Sequence, residues 1–132
     1  MQTHYAIKKE KNKILKIKTA AYTILPLTED MWATFSNSGM SGSGTAGGVV
    51  TFALPAAKVG MGFRFLVQAA CPLRIDPNGN ETIALPFTGA QGSAGKYIWA
   101  GAIGESVEIE CLVAGTWDVG IGAYTGTWTA ES

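Results

Sequence analysis

The sequence has little charge and few residues suited to metal binding or nucleophilic catalysis. Only 15% of its 132 residues are charged, and it contains one histidine and two cysteines. His4 stands alone near the N-terminus, and Cys71 and Cys111 lie far apart without a CxxC spacing, which argues against a metal site, a Ser–His–Asp set or a required cofactor. No apolar run approaches the roughly 18 residues of a membrane span. These absences argue against metalloenzymes, triad hydrolases and membrane-spanning proteins.

The cysteines and the low charge still carry information. We interpret Cys71 and Cys111 as small buried hydrophobic residues in a reducing compartment, with a disulfide as the alternative. A monomer with so few charges would be poorly protected against association. We therefore expect part of the surface to be covered by copies of the chain or by another protein.

The formal net charge of zero conceals two segments of opposite sign. Residues 1–18 carry six lysines and Glu10, which gives +6 − 1 = +5, whereas the remainder carries four basic and nine acidic residues, which gives 4 − 9 = −5. Such asymmetry indicates that the basic segment has a partner of its own. The six lysines are Lys8, Lys9, Lys11, Lys13, Lys16 and Lys18.

The rest of the composition predicts one all-β domain. Hydrophobic residues make up 47% of the chain, and 17 glycines separate many short apolar runs, a pattern typical of strands joined by turns. We predict a single β-sandwich or jelly-roll-like domain with an extended N-terminal arm. The arm with its edge strand spans residues 1–21, and the sandwich spans residues 22–132.

The basic segment contains the best candidate for an attachment site. From Ile14 onward, apolar residues alternate with lysines, which predicts an edge strand with one cationic face; a helix over residues 5–18 is the competing interpretation. The lysines either protect a solvated edge or anchor the arm to an acidic partner. The predicted anchoring residues are Lys8, Lys9, Lys11, Lys13, Ile14, Leu15, Lys16, Ile17 and Lys18.

The centre of the chain is predicted to contribute to the hydrophobic core. Residues 49–67 read as a hairpin of two buried strands, the second with Phe63, Phe65 and Val67 on one face. Residues 106–113 form the clearest alternating strand, with apolar positions through Val113 facing inward and two glutamates facing outward. The glycine- and serine-rich residues 38–48 lack the ending of a phosphate-binding loop and predict a mobile surface loop.

Several segments, taken in order, carry a resemblance to a known family. They are WATFSNSG (32–39), VTFALPAA (50–57), GFRFLV (62–67), LRIDP (73–77), TI (82–83), GESV (104–107), AGTW (114–117) and GTW (126–128). Over residues 22–129 the chain resembles the small β domain of tailed-bacteriophage virion proteins: capsid decoration (cement) proteins, head fibres and pieces of tail fibres. The resemblance implies a trimer with a structural, non-enzymatic role.

We expect a capsid decoration protein, made in the host cytoplasm and located on the virion surface. It would bind the major capsid protein as a homotrimer, clamping adjacent capsomers through strand addition and the cationic arm. The chain lacks the long repetitive shaft with which a tail fibre reaches a host.

The alternative is a fibre or receptor-binding tip that recognises host-surface glycan through exposed aromatic rings. Most of those rings are instead expected in the core or in a trimer interface; the interface candidates are Trp32, Tyr97, Trp99, Trp117 and Trp128. An enzyme would have to use Glu108 and Glu110, which the alternation places on a solvated face. Nucleic-acid binding is disfavoured, because the arm offers only Tyr5 for stacking and the domain is acidic.

Overall fold

The computed structural model describes residues 14–25, 30–38, 48–86 and 88–132, and in these ranges the chain forms β-strands and no helix. This confirms the predicted all-β class. Lys8, Lys9, Lys11 and Lys13 and nearly all of the glycine- and serine-rich segment lie outside the described residues. The strands are β1 (Leu15–Ile17), β2 (Tyr22–Thr23), β3 (Thr34–Ser36), β4 (Val50–Ala53), β5 (Gly62–Leu66), β6 (Leu73–Asp76), β7 (Thr82–Ile83), β8 (Ile98–Ala100), β9 (Ser106–Glu110), β10 (Thr116–Thr125) and β11 (Thr129–Ala130).

The strands form two sheets. Sheet A has the order β1-β3-β5-β9-β10-β7, and sheet B has the order β11-β8-β6-β4-β2. The first six strands alternate between the sheets, so that β1, β3 and β5 run parallel in sheet A while β2, β4 and β6 run parallel in sheet B. These parallel neighbours distinguish the sandwich from an antiparallel jelly roll.

The predicted hairpin over residues 49–67 is wrong. Its two halves, β4 and β5, are buried strands as expected, but they belong to different sheets. Between them, the Leu54 amide donates to the Asp76 carbonyl at 2.9 Å, and the Ala57 amide donates to Glu81 Oε1 at 2.9 Å. The connector is therefore tied to sheet B and to the loop after β6, and it leads the chain across the sandwich.

The core lies between the inner faces of the two sheets and is rich in aromatic side chains. Phe35 of β3 meets Phe52 of β4 across the core with ring centroids 5.3 Å apart, and it stacks on Phe65 of β5 at 5.6 Å. Phe63 continues this row and packs against Trp117 at 5.6 Å. Each such pair contributes about 0.5–1.5 kcal/mol beyond the area it buries. The predicted inward face of β5 is confirmed.

Strand direction defines two ends of the sandwich. At the Met61 end, the turn before β5 meets the turn after β9, since the Gly60 amide donates to the Cys111 carbonyl at 3.0 Å. At the Val67 end, the chain leaving β5 meets the loop before β9, and the Val67 amide donates to the Glu105 carbonyl at 2.8 Å. Strands β1 and β2 lie along one side of the sandwich, and β7 and β11 lie along the other.

Candidate attachment surface

Strand β1 is confirmed as an edge strand, but its cationic face points inward. In the parallel pairing with β3, Lys16 lies opposite Phe35, a residue of the core. Neighbouring residues of a strand point to opposite faces, so Leu15 and Ile17 point outward, and they are 48% and 50% exposed. The strand therefore presents its apolar side chains to solvent.

The inward lysine has a buried partner. Lys16 Nζ lies 2.6 Å from Oδ1 of Asp30, whose side chain is 1% exposed. The Tyr22 hydroxyl donates to Asp30 Oδ2 at 2.6 Å, and the Leu25 amide donates to the same oxygen at 3.0 Å. Burial disfavours the charged carboxylate, but these three partners outweigh it and hold the pKa of Asp30 below its usual range. Lys16 is thus engaged within the subunit.

The next lysine also folds back onto the domain. Lys18 Nζ lies 3.9 Å from the centroid of the Tyr22 ring, a cation–π geometry worth about 0.5–1 kcal/mol at a partly exposed site. With both lysines turned inward, the outward surface of this strand consists of Leu15 and Ile17, which we call the β1 surface. Ile14, which precedes the strand, is also exposed.

The backbone of β1 adds a second feature to this surface. The Ile14 carbonyl accepts from the Thr34 amide at 2.9 Å, and the Lys18 amide donates to the Ser36 carbonyl at 2.8 Å. In a parallel ladder, such alternate residues face the neighbouring strand, so the peptide groups of Leu15 and Ile17 face away from β3. Within the described ranges, no strand pairs with that outer side of β1.

Three of the five candidate interface aromatics lie in the core of the single subunit. Trp32, Trp117 and Trp128 are at most 1% exposed, and the Trp128 indole N–H donates to the Ser106 carbonyl at 2.9 Å. Of the two expected locations, core or trimer interface, these three therefore occupy the core, and they offer no surface to an interface of the folded subunit. Tyr97 and Trp99 are partly exposed on the side of sheet B that faces away from the core.

The outer face of sheet A carries the carboxylates that sequence reasoning placed in solvent. Glu108 lies directly opposite Arg64, with Arg64 Nε 3.1 Å from Glu108 Oε1. The outward position of Glu108 is confirmed, and its side chain takes part in a cross-strand ion pair. Val113, predicted to face inward, is 63% exposed because β9 ends at Glu110 and the chain then turns.

Cys71 and Cys111 are both buried and are not joined to each other. Burial raises the pKa of the Cys111 thiol, so its reactive thiolate form is suppressed. Across the described parts of the chain, no three histidine, cysteine, aspartate or glutamate residues are grouped to hold a metal ion. Those parts also contain no helix of the length and hydrophobicity needed to cross a membrane.

Sequence reasoning missed the residue that fixes this surface, Asp30. A single acid next to the apolar Met31 and Trp32 is a weak signal of a buried carboxylate, and nothing local connects it to Lys16, fourteen residues earlier. No family model, curated protein or solved structure matches the chain, so the family resemblance carried by the sequence segments stays a prediction.

Proposed function

We propose that the protein is a structural, non-enzymatic virion component: a capsid decoration protein that binds the outer shell of a tailed bacteriophage as a homotrimer and clamps adjacent capsomers. The observation that carries the proposal is the β1 surface, an apolar face on a strand at the edge of a sheet. The order of the sequence segments supports a role in a virion, and the β1 surface supports attachment through this edge of the sheet.

The β1 surface has the chemistry of a contact rather than of a solvated edge. Exposed edges in soluble proteins normally carry charged side chains, prolines or bulges that block pairing, and they seldom present two adjacent outward apolar side chains. Here Leu15 and Ile17 point outward while Lys16 is held by Asp30. A partner strand that added to β1 would form backbone hydrogen bonds with residues 15 and 17, and the partner surface next to that strand would cover both side chains.

The binding free energy expected from the β1 surface is suited to an assembly that binds through several copies. Burying the exposed halves of Leu15 and Ile17 contributes about 1 kcal/mol each, which is a weak contact for one subunit. Three subunits bound at one three-fold position act as a multivalent unit, so modest contacts combine into tight attachment. The basic segment ahead of β1 adds attraction to an acidic shell, and salt screens that part.

The test is the occupancy of shells assembled from the major capsid protein encoded with this chain. Replacing Leu15 and Ile17 together by threonine keeps β-propensity but removes the apolar face. We expect the affinity per subunit to fall about 30-fold, from the loss of about 2 kcal/mol. Deleting the whole segment is a poorer test, because it also strips Asp30 of its lysine partner.

The matched control replaces Leu112 and Val113 by threonine. Both are more than half exposed, but they lie at the Met61 end, away from β1. Their replacement should leave occupancy unchanged. Full occupancy by the Leu15/Ile17 variant, or an equal loss with the control, would contradict attachment through β1.

A further inference from the structure

A groove on the outer face of sheet B lies around the one tryptophan outside the core. Trp99 on β8 stands between Arg74 on β6 and Thr129 on β11 in the strand register. Its neighbours Ile98 and Ala100 are buried, so the Trp99 side chain points away from the core. The groove has a volume of about 370 Å³ and runs from Trp99 to the loops at the Val67 end. We call it the Trp99 groove.

Small residues leave the space open beside the indole. A β-carbon added to Gly101 would lie 3.7 Å from Cζ3 of Trp99 and 3.7 Å from the Pro72 Cα, which places the Gly101 backbone between these two residues. Thr127 and Thr129 line the groove and are exposed. The volume falls within the roughly 300–1,000 Å³ of small-molecule sites. The groove thus combines an aromatic side chain with nearby hydroxyl groups.

A fixed carboxylate closes the groove at the Val67 end. Glu105 Oε1 accepts hydrogen bonds from the amides of Gly101 at 3.1 Å and Ala102 at 2.8 Å, and Oε2 accepts from the Thr127 amide at 2.8 Å. These bonds hold the carboxylate in place. Oε1 uses both of its lone-pair sites on the two amides, whereas Oε2 retains one site that can accept from a further donor. The negative charge disfavours an anionic ligand.

The second partly exposed aromatic of this face differs from Trp99. The Arg74 guanidinium carbon lies 4.6 Å from the centroid of the Tyr97 ring, so a cation covers that ring. Trp99 instead borders the groove. The recognition chemistry of the face is therefore concentrated at Trp99, Glu105 and the two threonines.

We propose that the Trp99 groove binds a neutral hexopyranose unit of a surface polysaccharide. The apolar C–H face of the sugar packs on the Trp99 indole, a hydroxyl donates to Glu105, and other hydroxyls exchange hydrogen bonds with Thr127 and Thr129. An aromatic surface with a few fixed polar groups suits a ligand that has an apolar face and a hydroxyl rim.

This inference is independent of attachment through β1. The Trp99 groove lies on β8 and β11 of sheet B, whereas β1 lies on the opposite side of the sandwich in sheet A. A subunit held at β1 would therefore keep the groove away from that contact. Loss of either activity leaves the other measurable, so the two proposals fail separately.

The experiment measures binding of the full chain to neutral cello-, manno- and galacto-oligosaccharides and to a sialylated oligosaccharide by calorimetry. Tryptophan fluorescence gives a second readout, because three of the four tryptophans are buried and a ligand in the groove contacts Trp99. We expect at least one neutral series to bind and to change the emission, and the sialylated probe not to bind.

Substitutions in and outside the Trp99 groove test whether the sugar binds there. Trp99→Leu retains an apolar side chain without the ring and should weaken binding at least 10-fold, and Thr129→Val should weaken it about 3-fold. Thr125→Val, an exposed threonine on β10 outside the groove, is the matched control and should bind as the unchanged chain does. A denaturation midpoint for each variant establishes that it is folded. If Trp99→Leu does not fold, Thr127→Val replaces it as the variant that tests the groove.

Three results would overturn the proposal. They are the absence of binding by every neutral series at millimolar concentration, unchanged affinity after both Trp99→Leu and Thr129→Val, and preferential binding of the sialylated probe. If a peptide rich in aromatic residues binds the groove while no sugar does, the surface is a protein contact and the proposal is wrong.

Discussion

Trp32 and Gly62 are in close contact and constrain each other's conformation. Trp32 has φ +60°, in the left-handed region that bulky residues rarely occupy. Its amide donates to the Gly62 carbonyl at 2.9 Å, and the Arg64 guanidinium donates to the Trp32 carbonyl. The indole rests directly on Gly62, so the tryptophan conformation and the absence of a side chain at residue 62 depend on each other.

Replacing Gly62 by alanine should therefore be strongly destabilising. The new β-carbon would lie 1.9 Å from the Cη2 atom of Trp32, closer than any real contact, and both residues are buried. We expect the free energy of unfolding to fall by about 3 kcal/mol, the upper range for overpacking a core. Denaturant titration measures the change.

The matched control for this substitution is Gly101→Ala. Its β-carbon would meet its neighbours at 3.7 Å, an ordinary contact distance, and the change should cost less than about 0.5 kcal/mol. A similar loss for both variants would show that the Trp32 contact is not the cause.

The Asp30 carboxylate should make the stability of the fold depend on pH in acid. Its pKa is lowered in the folded chain, so the folded state favours the charged form more than the unfolded state does. This stabilisation is fully present above the unfolded pKa, near 3.8, and is lost as the pH falls through the lower folded pKa. Acid should therefore weaken the hold of Asp30 on Lys16 and Tyr22.

Replacing Asp30 by asparagine should remove this part of the pH dependence. The variant leaves the partly buried Lys16 without its counter-charge, and we expect a loss of about 3 kcal/mol at neutral pH. The free energy of unfolding, measured from about pH 2 to pH 6, should then vary less with pH in the variant than in the unchanged chain. An equally steep profile in both proteins would assign the acid response to other groups.

At the scale of elements, Glu105 joins two loops at the Val67 end. Its carboxylate accepts hydrogen bonds from backbone amides of the loop before β9 and of the loop before β11. Gly126 makes this possible, since a β-carbon there would lie 2.3 Å from Glu105 Cγ. The short strand β11, only two residues long, is thus supported by a side-chain clamp besides its ladder with β8.

Removing the clamp by Glu105→Ala should loosen both loops. Three amides lose a charged acceptor, and we expect the free energy of unfolding to fall by about 2 kcal/mol. Hydrogen exchange at residues 101, 102 and 127 should accelerate more than exchange in β5. Glu110→Ala, a partly exposed glutamate on β9, should change neither quantity; uniform acceleration across the chain would contradict a local clamp.

At the scale of the whole molecule, the two charge segments are less separate than the sequence indicates. Of the six lysines in residues 1–18, Lys16 is bound by Asp30 of the domain, and Lys18 lies over Tyr22. The lysines that remain for an external partner under the proposed function are those at positions 8, 9, 11 and 13, which precede the described residues.

This division predicts different effects of lysine substitutions on shell binding. Replacing Lys8, Lys9, Lys11 and Lys13 by glutamine should flatten the salt dependence of binding, because screened attraction is removed. Lys16→Gln should leave the salt dependence unchanged and lower the stability instead. Binding measured across a salt series distinguishes the two, and an effect of Lys16→Gln on the salt slope would place that lysine at the interface.

The assembly state gives the simplest whole-molecule test of the proposed function. Sedimentation or light scattering of the full chain should yield three times the 13.8 kDa subunit mass. A monomer at every concentration, including on the shell, would contradict a trimeric decoration protein. The Leu15/Ile17 variant should remain trimeric if β1 contacts the shell, and should dissociate if β1 contacts a neighbouring copy.

The alternating patterns of the sequence determined most of the local structure. Phe63, Phe65, Val107 and Ile109 face the core as their period of two predicts, because a strand that covers a core on one side must alternate. Proline and glycine positions marked most of the connections. The same reasoning predicted the all-β class and an edge strand in the alternation that begins at Ile14, which the structure contains as β1 (Leu15–Ile17).

Tertiary structure alone decided which sheet each strand joins and where the charged groups point. A strand with one apolar face can pack that face against the core from either sheet, so the alternation could not reveal that β4 and β5 lie in opposite sheets. Lys16 turns inward only because Asp30, distant in sequence, supplies a buried counter-charge and thereby leaves Leu15 and Ile17 outside. Local patterns determine which residues share a face, whereas long-range partners determine what that face meets.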